Sequence, residues 1–297
     1  MSGKQRFRKV AVLMGGPSSE RAVSLRSGAA VAGALRERGY EVAEVVVGED
    51  SSFAVPPGTD VAFVAMHGRF GEDGTIQALL RKQGVPHTGS DPEASRRAFD
   101  KSLSKPAMVA AGIPTPKHEF LRKGQARTLP LPVVVKPVRQ GSSVGVSRVF
   151  READWAAALE LALGLDEVAL VEEFIPGREL TVGVVGGTVL PVIEILAPDG
   201  NFDYHAKYTP GVSQHVIPAP VPEETAQKCR AAALAMFRAL GCAGMGRVDI
   251  RLRPDGEIFV LELNNIPGLT AVSLLPDAAR AHGWSFPDLC EKILDMV

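Results

Sequence analysis

An α/β layer built on a parallel sheet, continuing into α+β structure, is the architecture expected of this chain. Over roughly the first 100 residues, apolar strand-like runs alternate with helix-period stretches at the spacing of βαβ units. After "AGIPTP" the alternation gives way to strand pairs around one helix. Near the end, "MGRVDIRL" and "EIFVLELN" flank Arg253-Pro254-Asp255-Gly256, where Pro and Gly suit a reversing turn.

Taken in order, Val10–Leu13 reads as a strand and Ser19–Arg38 as a helix burying Val23, Ala30, Val31, Ala34 and Leu35, closed by Gly39. Glu41–Val47 and Val61–Ala65 read as strands, the second running into "MHGRFGEDGT". Thr75–Gln83 is a short helix ended by Gly84, and Asp91-Pro92 opens another, with Pro where a missing N–H costs nothing. The strand pairs then include "LPVVVKP", "SSVGVSRVF" and "EVALVEEFI", with a helix over Glu152–Leu163. "ELTVGVVGG", "TVLPVIEIL", a long loop, a helix over Glu223–Leu240 and the hairpin follow.

The bulk composition narrows the function classes. With 297 residues, 45% hydrophobic and 23% charged, the chain can bury a substantial core and has length for two or three domains. Its 33 basic and 34 acidic residues leave a net charge of −1, which gives no general field for nucleic acid or a membrane. The basic start "MSGKQRFRKV" leads into an apolar run too short for a signal sequence or a membrane span, so a cytoplasmic location is expected. Cys229, Cys242 and Cys290 are odd in number and form no C-x-x-C pair, which argues against disulfides and structural zinc.

Four stretches carry candidate chemistry. "MGGPSSERAVSLRSG" opens a helix as an anion-binding turn would, yet it fits neither the dinucleotide nor the Walker fingerprint. Glu20 in its first turn either offsets the helix dipole or binds a cationic ligand group. On the hairpin, alternation places Arg247, Asp249 and Arg251 on one face, with Glu262 and Asn264 sharing a face of the return strand. If the connecting loop is even in length, Asp249 and Glu262 fall together, and their oxygens suit Mg²⁺ shared with phosphates; otherwise the charges form a solvated outer face. In "VVVKPVRQGSSVGVSRV", Lys136 ends a strand, and Gly141, Ser142, Ser143 and Gly145 make either a donor-rich flap for phosphates or an ordinary turn. In "EVALVEEFIPGRELTV", the strand end at residues 173–175 offers backbone groups to a purine edge and Glu179 an acceptor to a ribose hydroxyl, or it is merely a charged strand end.

Six ordered stretches, "GGPSSERAVSLRSG", "HGRFGEDGT", "KPVRQGSSVGVS", "DYHAKYT", "GRVDI" and "LELNNIPGLT", resemble the D-alanine–D-alanine ligases of the ATP-grasp superfamily from about Val10 to the C-terminus. The resemblance implies a Rossmann-like domain over 1–100, a small central domain over 101–180 and a C-terminal domain over 181–297, with ATP gripped between the last two. It implies that ATP phosphorylates the carboxylate of one D-alanine and that the amine of a second attacks the acyl phosphate. Lys101 and Lys136 would hold the phosphates, Glu172 and Ile175 would meet adenine, and Glu179 the ribose. Asp249, Glu262 and Asn264 would bind two Mg²⁺ or Mn²⁺ ions. Arg247 and the Gly268 N–H would form the oxyanion site. Ser273 and Lys207 would take the carboxylate of the second amino acid. Glu20 would pair with the ammonium of the first D-alanine beside His67, and Tyr208 with Ser142 would close over Glu20. His67 also admits a purely structural reading, as a histidine bonding the Gly-rich loop. A homodimer is implied as well.

The chain departs from the family pattern at Asn265, where Thr is usual, at His205 in a variable and often acidic place, and at Val272 in a commonly polar one. Two other functions remain open on sequence grounds: a related carboxylate–amine or carboxylate–alcohol ligase such as one making D-alanyl-D-lactate, and a nucleotide-binding scaffold without chemistry. The complete set Lys101, Lys136, Asp249, Glu262 and Asn264 speaks against the scaffold.

Overall fold

The computed structural model describes residues 6–197 and 212–297. Its first sheet places β1 (Lys9–Gly15) between β2 (Glu41–Val47) and β3 (Val61–Val64), both parallel to it. Six of the seven β1 residues are buried, as expected of a central parallel strand covered on both faces. Helix α1 (Arg21–Glu37) starts later than the periodicity indicates, because Glu20 takes the N-cap position. Its carboxylate makes no cap hydrogen bond and instead accepts one from Ser142, far along the chain.

Helices α2 (Thr75–Lys82) and α3 (Pro92–Phe99) match the sequence reading closely, and the Asp91 side chain caps α3 by accepting from the Ala94 N–H. The chain then bends at Asp100, whose carboxylate accepts from the Ser102 N–H and starts α4 (Lys101–Ala110), a helix the apolar pattern does not reveal. Its buried face carries Lys101, Ser104, Lys105 and Met108, so two of its four inward positions are lysines.

The second sheet runs β4 (His118–Leu121), β7 (Ala169–Glu173), β5 (Val133–Pro137), β6 (Ser147–Val149), all antiparallel. A short 3₁₀ turn, Glu152–Asp154, leads into α5 (Trp155–Leu165). The helix covers one sheet face through Ala158 and Ala162 against Val133, Val135 and Val171. Alternation turns Val134, Lys136 and Glu172 to the other face, and Val134 pairs directly with Glu172.

The third sheet is ordered β11 (Gln214–Val216), β10 (Ile193–Leu196), β8 (Arg178–Val185), β12 (Met245–Leu252), β13 (Ile258–Asn264), with β9 (Thr188–Val189) beside β8. Helix α6 (Glu223–Ala239) packs on it through Cys229, Ala233, Met236 and Phe237. Two helices beyond those expected are α7 (Leu274–Ala281), which packs on β8 of the third sheet, and α8 (Phe286–Leu294), which packs on α1; they bury Leu275, Ala278, Leu289 and Ile293 in a core that β1 and α1 share with Val185 and Ile193 of the third sheet. Among the described residues no helix is long and apolar enough to cross a membrane.

One glycine governs the junction of the second and third sheets. Gly177 has φ +119°, and a Cβ there would stand 2.1 Å from the Leu252 carbonyl oxygen. Gly177→Ala is expected to cost about 2–4 kcal/mol through backbone strain and overlap and to lower the thermal midpoint by at least several degrees. An unchanged midpoint in thermal denaturation would contradict this.

Candidate active site

Two cavities meet between the sheets. The first, about 150 Å³, lies between the uncovered face of the second sheet and the β12–β13 hairpin. Lys101, Lys136, Glu172, Ile175, Glu179, Asp249 and Glu262 all line it. The second, about 590 Å³, is lined by Glu20, His67, Ser142, Arg247, Asn264, Gly268 and Ser273. Gly141 lines both. Every residue to which the family resemblance gives a role, among those described, therefore lines one of two adjoining cavities. Lys207, Tyr208 and His205 lie outside the described residues.

The hairpin brings its charges together by a route the strand pattern does not show. Leu252 pairs with Ile258, so the connecting turn spans the five residues 253–257. That is odd, and the even-loop condition for joining Asp249 to Glu262 is not met. A bulge between Asp249 and Ile250 shifts the register by one, so Asp249 pairs with Glu262 and Arg247 with Asn264. Arg247 then forks onto Asp249, with Nε 3.0 Å from Oδ1 and Nη2 3.0 Å from Oδ2. Thr181 Oγ1 donates to Asp249 Oδ1 at 2.6 Å, and Asn264 Nδ2 to Oδ2 at 3.2 Å. Asp249 belongs to the first cavity, Arg247 and Asn264 to the second, so this cluster is the seam between them.

Lys101 stands at the start of α4, its Nζ 3.0 Å from Glu262 Oε2 and donating to the Gln140 carbonyl at 2.9 Å. Two carboxylates and an amide beside this seam form a hard oxygen set of the kind Mg²⁺ or Mn²⁺ takes. Among the described residues no three His, Cys, Asp or Glu side chains gather to hold an ion by themselves. Phosphate oxygens would have to complete such a site, and the residues fit an ion of that kind.

Deeper in the first cavity Glu172 is held between two lysines, in contact with Lys105 Nζ on one oxygen and 2.5 Å from Lys136 Nζ on the other. Burial pushes the Glu172 carboxyl up, but Lys105 and Lys136 outweigh it and bring it down to about 2. Burial likewise opposes the Lys136 charge, and Glu172, with Glu262 and Asp249, more than compensates, raising that ammonium above its ordinary value. For Lys105 burial prevails, and it falls to about 8. At the cavity rim Arg251 Nη1 donates to Glu179 Oε2 at 3.1 Å, while its other nitrogens hold the Ile175 and Gly177 carbonyls at 3.3 and 2.6 Å.

In the second cavity Ser142 donates to the Glu20 carboxylate, tying the Gly-rich segment to the N-terminus of α1. Ser142 and Ser143 both adopt positive φ, 50° and 59°, a conformation non-glycine residues rarely take. His67 is buried, with Nε2 2.9 Å from Ser27 Oγ and Nδ1 3.1 Å from the Ile266 carbonyl. Burial works against its charge, but Glu72, 3.8 Å away, and Glu20 outweigh that and raise its pKa. Ser273 Oγ accepts from the Thr270 N–H at 3.0 Å beside Gly268, where a Cβ would come within 2.8 Å of it. Asn265 is buried and donates to the Glu72 carbonyl at 3.0 Å, so it braces the His67 loop; Val272 is exposed at the second cavity's edge.

Sequence reasoning passed over several lining or supporting groups. Glu72 sits inside the "HGRFGEDGT" stretch and Lys105 lies one helical turn beyond Lys101, while Arg251, placed on the Arg247–Asp249 face by alternation, had no role assigned to it. His215, which lines the second cavity, bonds through Nδ1 to Asp277 Oδ2 at 2.8 Å.

The whole chain superposes closely on a solved structure of a ligase. It matches the VanG D-Ala:D-Ser ligase from Enterococcus faecalis with a TM-score of 0.87 and 30% identity, over 98% of this chain and 99% of that one. The shared fold, with its lysine- and carboxylate-lined cleft between two antiparallel sheets, defines an ATP-grasp ligase. Residues 107–295 match the family model described as D-ala D-ala ligase C-terminus, and residues 54–90 the one described as D-ala D-ala ligase N-terminus. A D-alanine–D-alanine ligase of Syntrophotalea carbinolica is 47% identical over 291 residues, covering 97% of this chain and 95% of the relative. One from Desulforudis audaxviator is 49% identical over 299 residues, covering 97% of each. The chain belongs to the D-ala D-ala ligase family.

Proposed function

We propose that the protein joins two D-alanine molecules into D-alanyl-D-alanine for peptidoglycan precursors, converting ATP to ADP and phosphate. The observation that carries this reading is the seam itself. Arg247, which lines the larger cavity, grips Asp249, which lines the lysine-rich cleft, so a γ-phosphoryl group and a substrate carboxylate would meet there.

In this reading Lys101 and Lys136 hold the triphosphate, the strand end at Glu172–Ile175 meets adenine, and Glu179 meets the ribose. Asp249, Glu262 and Asn264 would hold two Mg²⁺ or Mn²⁺ ions, which when bound offset the negative charge of the phosphates. Glu20, fixed by Ser142, receives the ammonium of the first D-alanine beside His67. The carboxylate oxygen of that D-alanine takes the γ-phosphoryl group, and ADP leaves. The neutral amine of the second D-alanine, its carboxylate on Ser273 and Lys207, attacks the acyl carbon. Arg247 and the Gly268 N–H stabilise the oxyanion that forms, and the intermediate collapses with loss of phosphate and of the extra proton on nitrogen. Tyr208 with Ser142 and Glu20 covers the acyl phosphate and excludes water. The reading also includes a cytoplasmic location, a homodimer and three domains over 1–100, 101–180 and 181–297.

Phosphate release with ATP, Mg²⁺ and a panel of D- and L-amino acids tests the reaction, and product analysis with equimolar D-alanine and D-lactate tests the second subsite. D-Alanyl-D-alanine is expected to dominate near neutral pH. The preference should grow as pH rises, because deprotonation of the substrate ammonium supplies more free amine. A mixture dominated by D-alanyl-D-lactate would put the carboxylate–alcohol ligase in its place, and release with L-amino acids alone would overturn the D-specific reading.

A further inference from the structure

Lys105 is fully buried, does not line either cavity, and is used by none of the steps above. We infer that it is a positioning residue that holds Glu172 as a pure hydrogen-bond acceptor, and that it thereby makes the nucleotide cleft select a purine bearing a 6-amino group. The inference rests on the proposed placement of the base at Glu172 and Ile175.

The bonding around Lys105 fixes the direction of each proton. The Thr115 hydroxyl donates its single hydrogen to the Val260 carbonyl at 2.8 Å. Its oxygen must then accept from Lys105 Nζ, 2.7 Å away. The same ammonium contacts Glu172 Oε1, while Lys136 takes Oε2. Both carboxylate oxygens thus face a cation.

One cation would suffice to balance one buried carboxylate, so the second lysine calls for an explanation. Lys136 lines the cleft, where incoming phosphates compete for its protons. Lys105 is sealed from the cleft between α4, Thr115 and Glu172, so nothing that binds there can draw it away. It keeps Glu172 charged while Lys136 turns to the nucleotide.

The charge state matters for base choice. An ionised carboxylate only accepts hydrogen bonds, whereas a protonated carboxyl also donates one. A 6-amino group donates to the carboxylate. A 6-oxo group presents a second acceptor to it, and a buried acceptor facing an acceptor is costly. Without Lys105, burial would favour the neutral carboxyl, which can donate to a 6-oxo group and would admit it.

Inosine triphosphate carries a 6-oxo group in place of the 6-amino group and a hydrogen on N1 that wild type and variants meet alike, so a change in the ratio between them reports the 6-position, and it is the probe. The ratio of kcat/KM for ATP to that for inosine triphosphate is measured by phosphate release, with D-alanine and Mg²⁺, in the whole protein and three variants. The wild-type ratio is expected to be about 100 or more. Lys105→Met should lower it about tenfold, chiefly through a higher KM for ATP with a smaller change in kcat. Thr115→Val, nearly isosteric and able to fold even if Lys105→Met does not, should lower it about two- to threefold by loosening the ammonium. Glu172→Gln, whose amide can donate, should collapse or invert the ratio.

The variants separate the two ideas. An unchanged ratio in Glu172→Gln overturns the placement of the base and this inference with it. A collapse in Glu172→Gln alongside wild-type ratios in Lys105→Met and Thr115→Val leaves the base where proposed and overturns the role of Lys105. A loss of activity equal for both nucleotides in the lysine variant is the mark of a merely structural residue and likewise overturns it.

Discussion

Replacing Arg247 by alanine is expected to lower kcat by about 10²- to 10³-fold, the cost of removing a donor aimed at a developing oxyanion in a water-poor site. The structure gives this arginine two tasks. It lines the larger cavity, and its fork holds both oxygens of Asp249 at 3.0 Å. Arg247→Ala also leaves the Asp249 carboxylate with Thr181 and Asn264 as its neutral partners, and an uncompensated buried charge is destabilising. Arg247→Lys separates the two effects, because an ammonium restores the charge but cannot form the fork. It should recover thermal stability before turnover. A kcat within threefold of wild type for Arg247→Ala, measured at saturating ATP and D-alanine, would remove this residue from the reacting centre.

Glu262→Gln is expected to lower turnover at least ~10-fold at saturating Mg²⁺. The substitution keeps size and shape and removes one negative charge from the Asp249–Glu262 pair. It also removes the partner of Lys101, 3.0 Å away, and so alters the field in which the phosphates sit. Near-wild-type turnover would sink the assignment of Glu262 to the phosphate-bridging site.

The first layer was legible because its signals are local. β1 is an unbroken apolar run, and α1 shows its inward face at helical spacing and stops at Gly39. Helix α4 was hidden for an equally local reason: its buried face carries Lys101 and Lys105, so the side chains that define it look like solvent-exposed ones. The helices α7 and α8 are short, and the surfaces they cover, β8 of the third sheet and α1, lie far earlier in the chain, where no window of neighbouring residues reaches. Glu20 was ambiguous between offsetting a dipole and binding a cation because its partner, Ser142, arrives from the second sheet.

The active-site hairpin divides the two kinds of information most clearly. Alternation along each strand depends only on the pleat, so the sequence by itself determined that Arg247, Asp249 and Arg251 share one face and that Glu262 and Asn264 share another. It could not determine whether those faces coincide. With the five-residue turn 253–257 and an unbroken ladder, Asp249 would lie opposite Leu261 and the carboxylates would part. The bulge reverses this, and its position is set from outside the hairpin. The Val260 N–H donates to the Pro114 carbonyl at 2.7 Å, and the Val260 carbonyl accepts from Thr115 at 2.8 Å. Those bonds hold the backbone of β13 against a segment nearly 150 residues away in sequence, and only the assembled fold brings the two carboxylates to one face.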